Sequence, residues 1–351
     1  MSWRICQLGD VIELRYGKSL PDRDRKFGDI PVYGSGGIGG WHDIALVSGP
    51  GVIVGRKGSV GSVFYEARNF FPIDTAYYVV PKDGRIDLRY AYYLLSSLPL
   101  ASMNSDVAVP GLNRDRALGL EISVPSYAIQ LSISNILSTY DDLIENNRRR
   151  MALLEESARL LYREWFVRLR FPGYEHTPIV DGVPQGWERK TLGDSIILNY
   201  GKALKAEIRV EGDFPVFGSS GIVGTHEKAL VQGPAIVLGR KGNVGSVYWS
   251  SKSFYPIDTV YFVTPESSSL YLFYALKNMH FISTDVAVPG LNRDFAYSRH
   301  LLHPPLSLLR SFHETVERIH AQLDKLDETN KKLRAARDLL LPRLMSGELA
   351  V

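Results

Sequence analysis

The sequence contains one cysteine, Cys6, among its 351 residues. A single thiol excludes an internal disulfide framework and any zinc or iron–sulfur site that needs several cysteine ligands. No apolar run approaches the roughly 20 residues of a membrane-spanning helix, and the residues around Trp3 lack the apolar stretch of a signal peptide. We therefore expect a protein of the cytoplasm with no membrane partner and no metal site of its own.

The sequence also has little net charge. Lys and Arg number 41 against 38 Asp and Glu, which leaves a formal net charge of +3. This charge is too small to indicate nucleic-acid binding by bulk electrostatics, so any basic surface must be local. The composition, 45% hydrophobic and 23% charged, is that of a globular protein, and the length predicts two domains.

Familiar catalytic patterns are missing from the sequence. It has no Gly-x-Ser-x-Gly, no His-Glu-x-x-His, no paired nuclease carboxylates and no Asn-Pro-Pro-Tyr-type signature of an amino methyltransferase. The loops Gly55–Ser62 and Gly239–Ser246 resemble phosphate cradles, but their spacing is not that of a Walker loop. Because β-branched runs flank both loops, we expect each to be the turn of a hairpin.

Two aspartates and two histidines are the aligned candidates for acid–base chemistry. Asp74 and Asp258 each lie beside a threonine, where capping of a turn is the expected role. His42 and His226 have no second ligand at a spacing typical of a metal site. The sequence therefore predicts a chain without a catalytic centre.

A large internal repeat is the most informative feature present. Pro31–Val80 aligns without a gap with Pro215–Thr264, and about 28 of these 50 positions are identical. Asp106–Asp115 returns as Asp285–Asp294. A period near 184 residues indicates duplication of a whole domain, since solenoid repeats run nearer 20 to 50 residues.

Each copy changes character along its length. Its first part is rich in Gly, Pro and aromatic residues, with short β-branched runs between turns, and is predicted to be a β-rich domain with a short helix near Tyr90–Leu95. Its second part is predicted to be one long helix, of roughly 43 residues and about 65 Å in the first copy. The predicted divisions are residues 1–125, 126–171, a linker at 172–186, 187–305 and 306–351.

Apolar positions recur at steps of three and four along both predicted helices. In the first they are Ile129, Ile133, Ile136, Tyr140, Leu143, Asn147, Met151, Leu154, Ala158, Leu161 and Trp165. In the second they are Phe312, Val316, Ile319, Leu323, Leu326, Asn330, Leu333, Leu340 and Leu344, with an end near Ser346. A seam this narrow is typical of a coiled coil, and we expect each helix to bury it against the other rather than against a small β domain.

The predicted fold is therefore α+β. Two similar β-rich domains are joined by two long antiparallel helices that form an intramolecular coiled coil with pseudo-twofold symmetry. Each seam carries one asparagine near its middle, Asn147 and Asn330. In an antiparallel pair, equivalent residues meet at the centre, so we expect the two amides to hydrogen-bond and define the register; two partly solvated side chains are the alternative.

Candidate polyanion contacts lie in and near the aligned glycine turns. The pairs Arg56-Lys57 and Arg240-Lys241 are expected either to contact a polyanion or to be solvated cations on tight turns. The further candidates are Lys18, Ser35, Ser59, Asn113, Arg114, Lys202, Ser219, Asn243, Asn292 and Arg293. For the two Asn-Arg pairs the alternative is a turn that begins a helix.

A run of motifs in the middle of the chain resembles a known family. The segments are Leu143–Arg150, Leu153–Glu156, Leu161–Val167, Val183–Glu188 and Leu192–Asp194. They are similar to the central conserved region of specificity subunits of type I restriction-modification systems, and the resemblance covers essentially the whole chain. The family's usual Pro-Leu-x-Glu-Gln start of each long helix is altered at Pro125 and absent after Pro304.

The resemblance implies a non-catalytic subunit that binds double-stranded DNA. Each target recognition domain is expected to bind one half of a bipartite target, and the helices to set the spacing and to dock two methyltransferase subunits. Those partners use S-adenosylmethionine to methylate adenine, restriction or translocase subunits join some complexes, and this chain itself holds no cofactor.

The repeat adds an expectation of its own. Two similar domains related by a pseudo-twofold axis should bind similar sequences on opposite strands, so we expect a nearly palindromic target around its spacer. Half-site differences should arise where the copies differ: Gly36 against Ser220, Trp41 against Thr225 and Ser59 against Asn243. The alternatives are a coiled-coil adaptor whose β domains bind protein or glycan, and an enzyme built on the glycine loops.

Overall fold

The computed structural model describes residues 3–82, 84–103, 111–281 and 290–351. In the repeated segment that aligns Asp106–Asp115 with Asp285–Asp294, residues 106–110 and 285–289 lie outside the described part of the chain. Among the described residues, no helix is long and apolar enough to cross a membrane. The same residues contain no cluster of three or more side chains suited to hold a metal ion.

The elements follow each other in two similar series. The α-helices are α1 (Leu88–Ser97), α2 (Arg114–Leu118), α3 (Tyr127–Tyr162), α4 (Leu270–Asn278), α5 (Arg293–Tyr297) and α6 (Leu306–Met345). The strands of the first series are β1 (Arg4–Gln7), β2 (Ile12–Tyr16), β3 (Ile30–Gly34), β4 (Gly37–His42), β5 (Gly51–Gly55), β6 (Val63–Glu66), β7 (Phe71–Pro72), β8 (Ala76–Pro81) and β9 (Glu121–Val124). Those of the second are β10 (Ile179–Val180), β11 (Val183–Pro184), β12 (Glu188–Thr191), β13 (Asn199–Tyr200), β14 (Phe214–Gly218), β15 (Gly221–His226), β16 (Ala235–Gly239), β17 (Val247–Ser250), β18 (Tyr255–Pro256), β19 (Val260–Val263) and β20 (His300–His303).

The sheets have the same topology in both copies. The first copy contains a four-stranded sheet in the order β2-β8-β5-β6, a three-stranded sheet β4-β3-β7 and the pair β1-β9. The second contains β13-β19-β16-β17, β15-β14-β18 and β12-β20. In each copy the central strand of the larger sheet is a continuous apolar run buried on both faces, which is why Val52–Val54 is entirely inaccessible. The duplicated β-rich domain is thereby confirmed.

The described residues divide into two compact units that cut across the predicted divisions. One comprises residues 1–146 and 329–351, and the other residues 147–328. Each unit therefore contains one recognition domain together with a segment of α3 and a segment of α6. The division falls in the middle of both long helices because each of their ends packs onto the nearer domain.

In the first unit, α3 packs against α6 and against the recognition domain. Ile133 and Leu137 share a core with Leu344 of α6, and also with Tyr90 and Leu94 of α1. The segments run antiparallel, since Asp141 accepts a 2.5 Å hydrogen bond from Arg337 while the earlier Ile133 lies in a cluster with the later Leu344. The expectation that each helix buries its seam only on the other helix is wrong here, because a short helix of the β-rich domain supplies a second apolar surface.

In the second unit the same pairing recurs with different side chains. Tyr162 and Phe166 pack on Phe312 of α6 and on Tyr271 of α4, with ring centroids 4.8 to 6.2 Å apart. These rings belong to a core that also includes Trp187. The Trp-containing motif that follows the linker therefore stabilises the end of α3.

The buried face of α3 and of the turn that follows it differs by one residue from the predicted seam at four positions, two of which are Tyr162 and Phe166 in place of Leu161 and Trp165. Leu137 and Ile144 are buried, whereas Ile136 and Leu143 are 36% and 45% exposed. Both alternatives fit a three- and four-residue spacing, so periodicity alone could not separate them. In the predicted seam of α6, Phe312, Val316, Leu323, Leu326 and Leu344 are buried, and Ile319, Leu333 and Leu340 are half-buried.

The long helices end close to their predicted positions. The α-helical hydrogen bonding of α3 ends at Tyr162 and one π-helical turn, Arg163–Val167, completes the predicted span. The altered start of α3 is held by Gln130, whose amide donates to the carbonyls of Arg85 and Pro125 and accepts from the backbone of Asp87. Asn147 and Asn330 are both buried. Their proposed amide–amide hydrogen bond stays a prediction.

Candidate nucleic-acid interface

The Arg-Lys loops are the turns of hairpins, as predicted. Strands β5 and β6 pair antiparallel on either side of the first loop, and β16 and β17 on either side of the second. Gly58 and Gly61 have φ angles of +80° and +74°, and Gly242 and Gly245 have +80° and +78°. These left-handed conformations favour glycine, and they place the side chains of Lys57 and Lys241 in solvent.

The backbone of Arg56 is held by hydrogen bonds on both sides. Its N–H donates to the carbonyl of Thr75 at 2.9 Å, and its own carbonyl accepts from Leu112 at 2.8 Å. A further bridge joins Lys57 to Gly111. Pairing with the hairpin turn therefore brings the residues after Gly111, Arg114 among them, next to Arg56.

Two guanidinium groups of the first unit lie over the ring of Tyr16. The guanidinium carbon of Arg56 is 4.9 Å from the ring centroid and that of Arg114 is 5.4 Å from it. Arg56 also lies 5.9 Å from the ring of Tyr77, the residue opposite Tyr16 across β2 and β8, and donates a 2.9 Å hydrogen bond to the carbonyl of Asp74. The charge of Arg56 is thus held by two rings and one carbonyl.

The second unit repeats this arrangement with equivalent residues. Arg240 and Arg293 lie 5.0 and 5.4 Å from the ring centroid of Tyr200. Arg240 also lies 5.7 Å from the ring of Tyr261 and donates to the carbonyl of Asp258 at 3.2 Å. The site is therefore a property of the repeated domain.

Little negative charge balances these arginines. Within the described ranges, Arg56, Arg240 and Arg293 form no ion pair, while Arg114 pairs through Nε with the exposed Asp115 at 3.3 Å. The neighbouring Tyr77 adds no negative charge. Burial, the hydrogen bond to Tyr16 and the charge of the Tyr16 phenol raise the pKa of Tyr77 to about 12, although the charge of Arg56 opposes the rise. The phenol stays neutral at physiological pH, so nothing on Tyr77 cancels the positive charge.

The turns that carry the remaining candidates are tied together by serines. The hydroxyl of Ser62 donates to the carbonyls of Ser35 and Ser59, and that of Ser246 donates to the carbonyls of Ser219 and Asn243. These bonds join the tip of each β3–β4-type hairpin to the adjacent Arg-Lys turn. The side chains of Ser59 and Asn243, which lie at the tips of the Arg-Lys turns, are exposed.

The remaining candidates differ in what holds them. Lys18 and Lys202 are exposed and are fixed only through their backbone N–H groups, which donate to the carbonyls of Pro72 and Pro256. Asn113 and Asn292 are the N-caps of α2 and α5, where their Oδ1 atoms accept from backbone N–H groups. The capping geometry matches the alternative of a turn that begins a helix.

The aspartates and histidines of the acid–base search have structural positions. Asp74 and Asp258 are exposed and contribute the carbonyls described above. His42 and His226 are buried, and each accepts a backbone hydrogen bond at Nδ1, from Lys26 and from Val210. The two histidines are thus held by backbone contacts, whereas capping of a turn by the carboxylates of Asp74 and Asp258 stays a prediction.

One cluster distinguishes the first unit from the second. Tyr33 donates a 3.0 Å hydrogen bond to the buried carboxylate of Glu66, which also accepts from Arg68, and Arg68 lies 5.7 Å from the half-exposed ring of Trp41. Burial opposes the charge of Glu66, but its hydrogen bonds with Arg68 and Tyr33 hold the pKa of Glu66 below its usual value. The corresponding residues of the second unit are Phe217, Ser250, Lys252 and Thr225. The surface around these positions therefore differs between the two units.

The sequence predicts the four arginines as candidate contacts, whereas the two tyrosines beneath them are not among the candidates. Tyr16 and Tyr200 are 47% and 49% exposed and lie opposite a second tyrosine. A signal was present, because Tyr-Gly-Lys recurs in both copies. Only strand pairing, however, reveals that the ring lies beneath two guanidinium groups.

Comparison with known proteins assigns the family. The sequence model of the type I restriction modification DNA specificity domain matches residues 2–156 and 184–308, which include most of both copies. The chain belongs to this family. The prediction made from the central motifs is confirmed.

Relatives of this specificity chain support the assignment along most of its length. It is 24% identical over 311 residues to the type I restriction enzyme MjaIX specificity subunit of Methanocaldococcus jannaschii, which covers 78% of this chain and 71% of that protein. It is 22% identical over 373 aligned positions to the HindI specificity subunit of Haemophilus influenzae, covering 80% and 81% of the two chains. These relatives are specificity subunits, so the prediction of a non-catalytic subunit rather than an enzyme is confirmed.

A solved structure supports the fold. The type I restriction-modification S subunit from M. genitalium matches 98% of this chain and 96% of its own length, with 21% identity and a TM-score of 0.61. The α+β architecture of two recognition domains and two long helices is therefore the fold of this specificity chain.

Proposed function

We propose that this chain is the DNA-recognition subunit of a type I restriction-modification complex. The observation that carries the proposal is the match of both copies to the DNA specificity domain, together with the same cluster of two arginines on one tyrosine in each copy. Each recognition domain binds one half of a bipartite target. The base pairs between the halves are not contacted.

The long helices act as the spacer and as the docking site for two methyltransferase subunits. At 1.5 Å per residue, α3 alone is about 54 Å long, which exceeds the roughly 35 Å of one DNA turn. Leu153 and Leu339 are 69% and 72% exposed on the helices. These side chains are available for contact with the proposed methyltransferase subunits. Restriction or translocase subunits are further partners of the assembled complex.

The chemistry belongs to those partners. The methyltransferase subunits bind S-adenosylmethionine and transfer its methyl group to adenine, while this chain selects the adenine. The complex works in the cytoplasm, where it meets its DNA.

The target is nearly palindromic in this proposal. The two domains share their sheet topology and the arginine–tyrosine cluster, and about 28 of 50 aligned positions are identical, while positions such as Ser59 and Asn243 differ. Similar reading surfaces select similar half-sites.

Single-molecule sequencing of methylated adenines tests the proposal. A host that expresses this chain with its methyltransferase should acquire one bipartite methylated motif, which disappears when this chain alone is deleted. A motif that persists after the deletion would contradict the assignment of recognition to this chain. Two unrelated half-sites would contradict the near-palindrome and leave the assignment intact.

The adaptor alternative makes a different prediction. Binding of the complex to duplex DNA should weaken steeply as salt is raised, since phosphate contacts release counterions. A chain that binds a protein or a glycan through its β domains would show no such dependence on DNA.

A further inference from the structure

We propose that each recognition domain carries a clamp for one backbone phosphate of DNA, in which a half-exposed tyrosine positions two arginines. The clamps are Tyr16 with Arg56 and Arg114, and Tyr200 with Arg240 and Arg293. The inference rests on the proposed function, because it takes DNA to be the ligand. It adds the ligand group that the arginines bind and assigns a positioning role to the two tyrosines.

The arginines of each clamp are held in place before any ligand arrives. Both guanidinium carbons of the first clamp lie within 5.4 Å of the centre of one ring, and both of the second lie within the same distance of the equivalent ring. A guanidinium group over an aromatic face is attracted by the ring quadrupole and loses side-chain freedom. Less freedom then has to be lost when the arginine binds an anion.

The backbone fixes the relative position of the two arginines. In the first unit, Leu112 donates to the carbonyl of Arg56, and the hydroxyl of Tyr77 donates to the carbonyl of Leu112 at 3.0 Å. In the second unit, Leu291 and Tyr261 make the same two bonds, the latter at 3.1 Å. The loop that carries the second arginine is therefore bonded directly to the first arginine and to the sheet beneath it.

The convergence of two guanidinium groups favours a phosphate over a base. One guanidinium occupies both acceptors of the guanine edge in the major groove, so a second has no partner there. A backbone phosphate offers two non-bridging oxygens that share one negative charge, and these oxygens can accept from more than one arginine. Three of the four arginines form no ion pair within the described part of the chain, which leaves their charge available to an anion.

The repeat supports the same conclusion. All three clamp residues are identical in the two copies, whereas the exposed hairpin tips differ, with Ser59 in one and Asn243 in the other. Contacts to the phosphate backbone of DNA position a protein on any duplex and carry no direct sequence information. Contacts common to both domains are therefore expected at phosphates, and differing contacts at bases.

The test uses the full chain in complex with its methyltransferase and a short duplex that carries its methylated motif. The dissociation constant is measured over a series of salt concentrations. Loss of one phosphate contact lowers the slope of log affinity against log salt by about 0.9, so loss of both clamps would lower it by about 1.8, and Arg56→Met with Arg240→Met, which removes one arginine from each clamp, should lower it by a part of that amount. Arg114→Met with Arg293→Met, which leaves the bonds to Asp74 and Asp258 untouched, should lower it as well.

The tyrosines are tested by a matched pair of substitutions. Tyr16→Phe with Tyr200→Phe keeps both ring faces and should keep the slope, whereas Tyr16→Leu with Tyr200→Leu should lower it. Arg23→Met is the charge control, since this exposed arginine is outside both clamps and Glu207 holds the equivalent position in the second copy. The control should leave the slope unchanged.

Three results would overturn the proposal. An unchanged slope in both arginine variants would exclude phosphate contacts at the clamps. A change of the methylated motif in these variants would identify the arginines as readers of bases. An unchanged slope in the leucine variant would remove the positioning role of the tyrosines. Absence of any salt-dependent DNA binding by the unsubstituted complex would instead contradict the proposed function, and the clamp with it.

Discussion

Gly17 follows the clamp tyrosine at the end of β2 and has no room for a side chain. A Cβ atom at this position would lie 2.2 Å from the carbonyl oxygen of Ile73 and 2.3 Å from that of Pro72. Gly201 meets Ile257 in the same way, at 2.0 Å. This close approach of two backbone segments keeps Tyr16 next to the turn that contains Asp74, whose carbonyl accepts a hydrogen bond from Arg56.

Gly17→Ala should therefore destabilise the first unit by about 2 kcal/mol or more, because backbone atoms must move to admit the methyl group. Chemical denaturation measures the effect. Gly39→Ala is the matched control, since nothing lies within 4 Å of its Cβ position. Equal stability of the two variants would show that the backbone at Gly17 yields easily.

His320 of α6 is a second residue whose surroundings have a measurable consequence. Its Nε2 atom is 2.9 Å from the hydroxyl of Tyr274, and its ring packs against Phe273 and Trp249. Burial, with smaller contributions from the charges of Lys277 and His313, lowers the pKa of His320 to about 4. The histidine is therefore neutral in the folded protein at physiological pH.

This pKa predicts a loss of stability in acid. Between pH of about 6.5 and 4 the unfolded chain takes up a proton that the folded chain does not, so the free energy of unfolding should fall as pH decreases through this range, by roughly 1–3 kcal/mol in all. Denaturation at pH 7 and pH 5 measures it. His320→Gln should reduce the pH dependence, while His176→Gln, at an exposed histidine, should retain it. Identical pH profiles for these two variants would contradict the prediction.

At the scale of elements, the long helices are held by different contacts at their two ends. In the first unit Tyr93 of α1 donates to Asp141 of α3 at 2.6 Å, and Arg337 of α6 donates to the same carboxylate. Burial and the hydrogen bond to this carboxylate raise the pKa of Tyr93 above its usual value. In the second unit Tyr274 and His320 provide the corresponding link between the recognition domain and α6. A partly buried polar contact thus links each domain to the long helices.

The buried face of α3 can be tested by two adjacent substitutions. Leu137→Ala should destabilise the first unit by about 2–5 kcal/mol, because Leu137 is fully buried and its loss leaves a cavity. Ile136→Ala, at a side chain 36% exposed, should cost much less. Thermal and chemical denaturation compare the two. A larger loss of stability in Ile136→Ala than in Leu137→Ala would instead support the seam predicted from periodicity.

At the scale of the whole molecule, duplication separates recognition into two independent halves. Ser59 and Asn243 are exposed at equivalent hairpin tips, and asparagine can bind adenine through two hydrogen bonds. Ser59→Asn makes the first tip resemble the second. It should change one half of the methylated motif toward the other half and leave the other half unchanged.

Single-molecule sequencing of methylated adenines measures this outcome. The reciprocal change, Asn243→Ser, is the control and should alter only the opposite half. A change in neither half would show that the hairpin tips do not contribute to base recognition, and a change in both halves after one substitution would contradict the independence of the two halves.

Much of this architecture follows from local patterns in the sequence. A repeat of about 184 residues determines that the domain is duplicated, and apolar spacing determines two long helices, the first of them in a stretch without Gly or Pro. Glycines in Gly55–Ser62 determine the hairpin turn because only this residue adopts positive φ without strain. All of these features depend on residues close together in the chain, or on direct comparison of the two copies.

Tertiary structure alone decided which residues meet. Tyr16, Arg56 and Arg114 are far apart in the sequence, and the pairing of β2 with β8 and of Lys57 with Gly111 brings them to one ring. The same holds for the face of α3, where Leu137 and Ile136 fit the periodicity equally and the packing of α1 and α6 selects Leu137. Strand register and side-chain packing are properties of the folded chain, and local periodicity does not encode them uniquely.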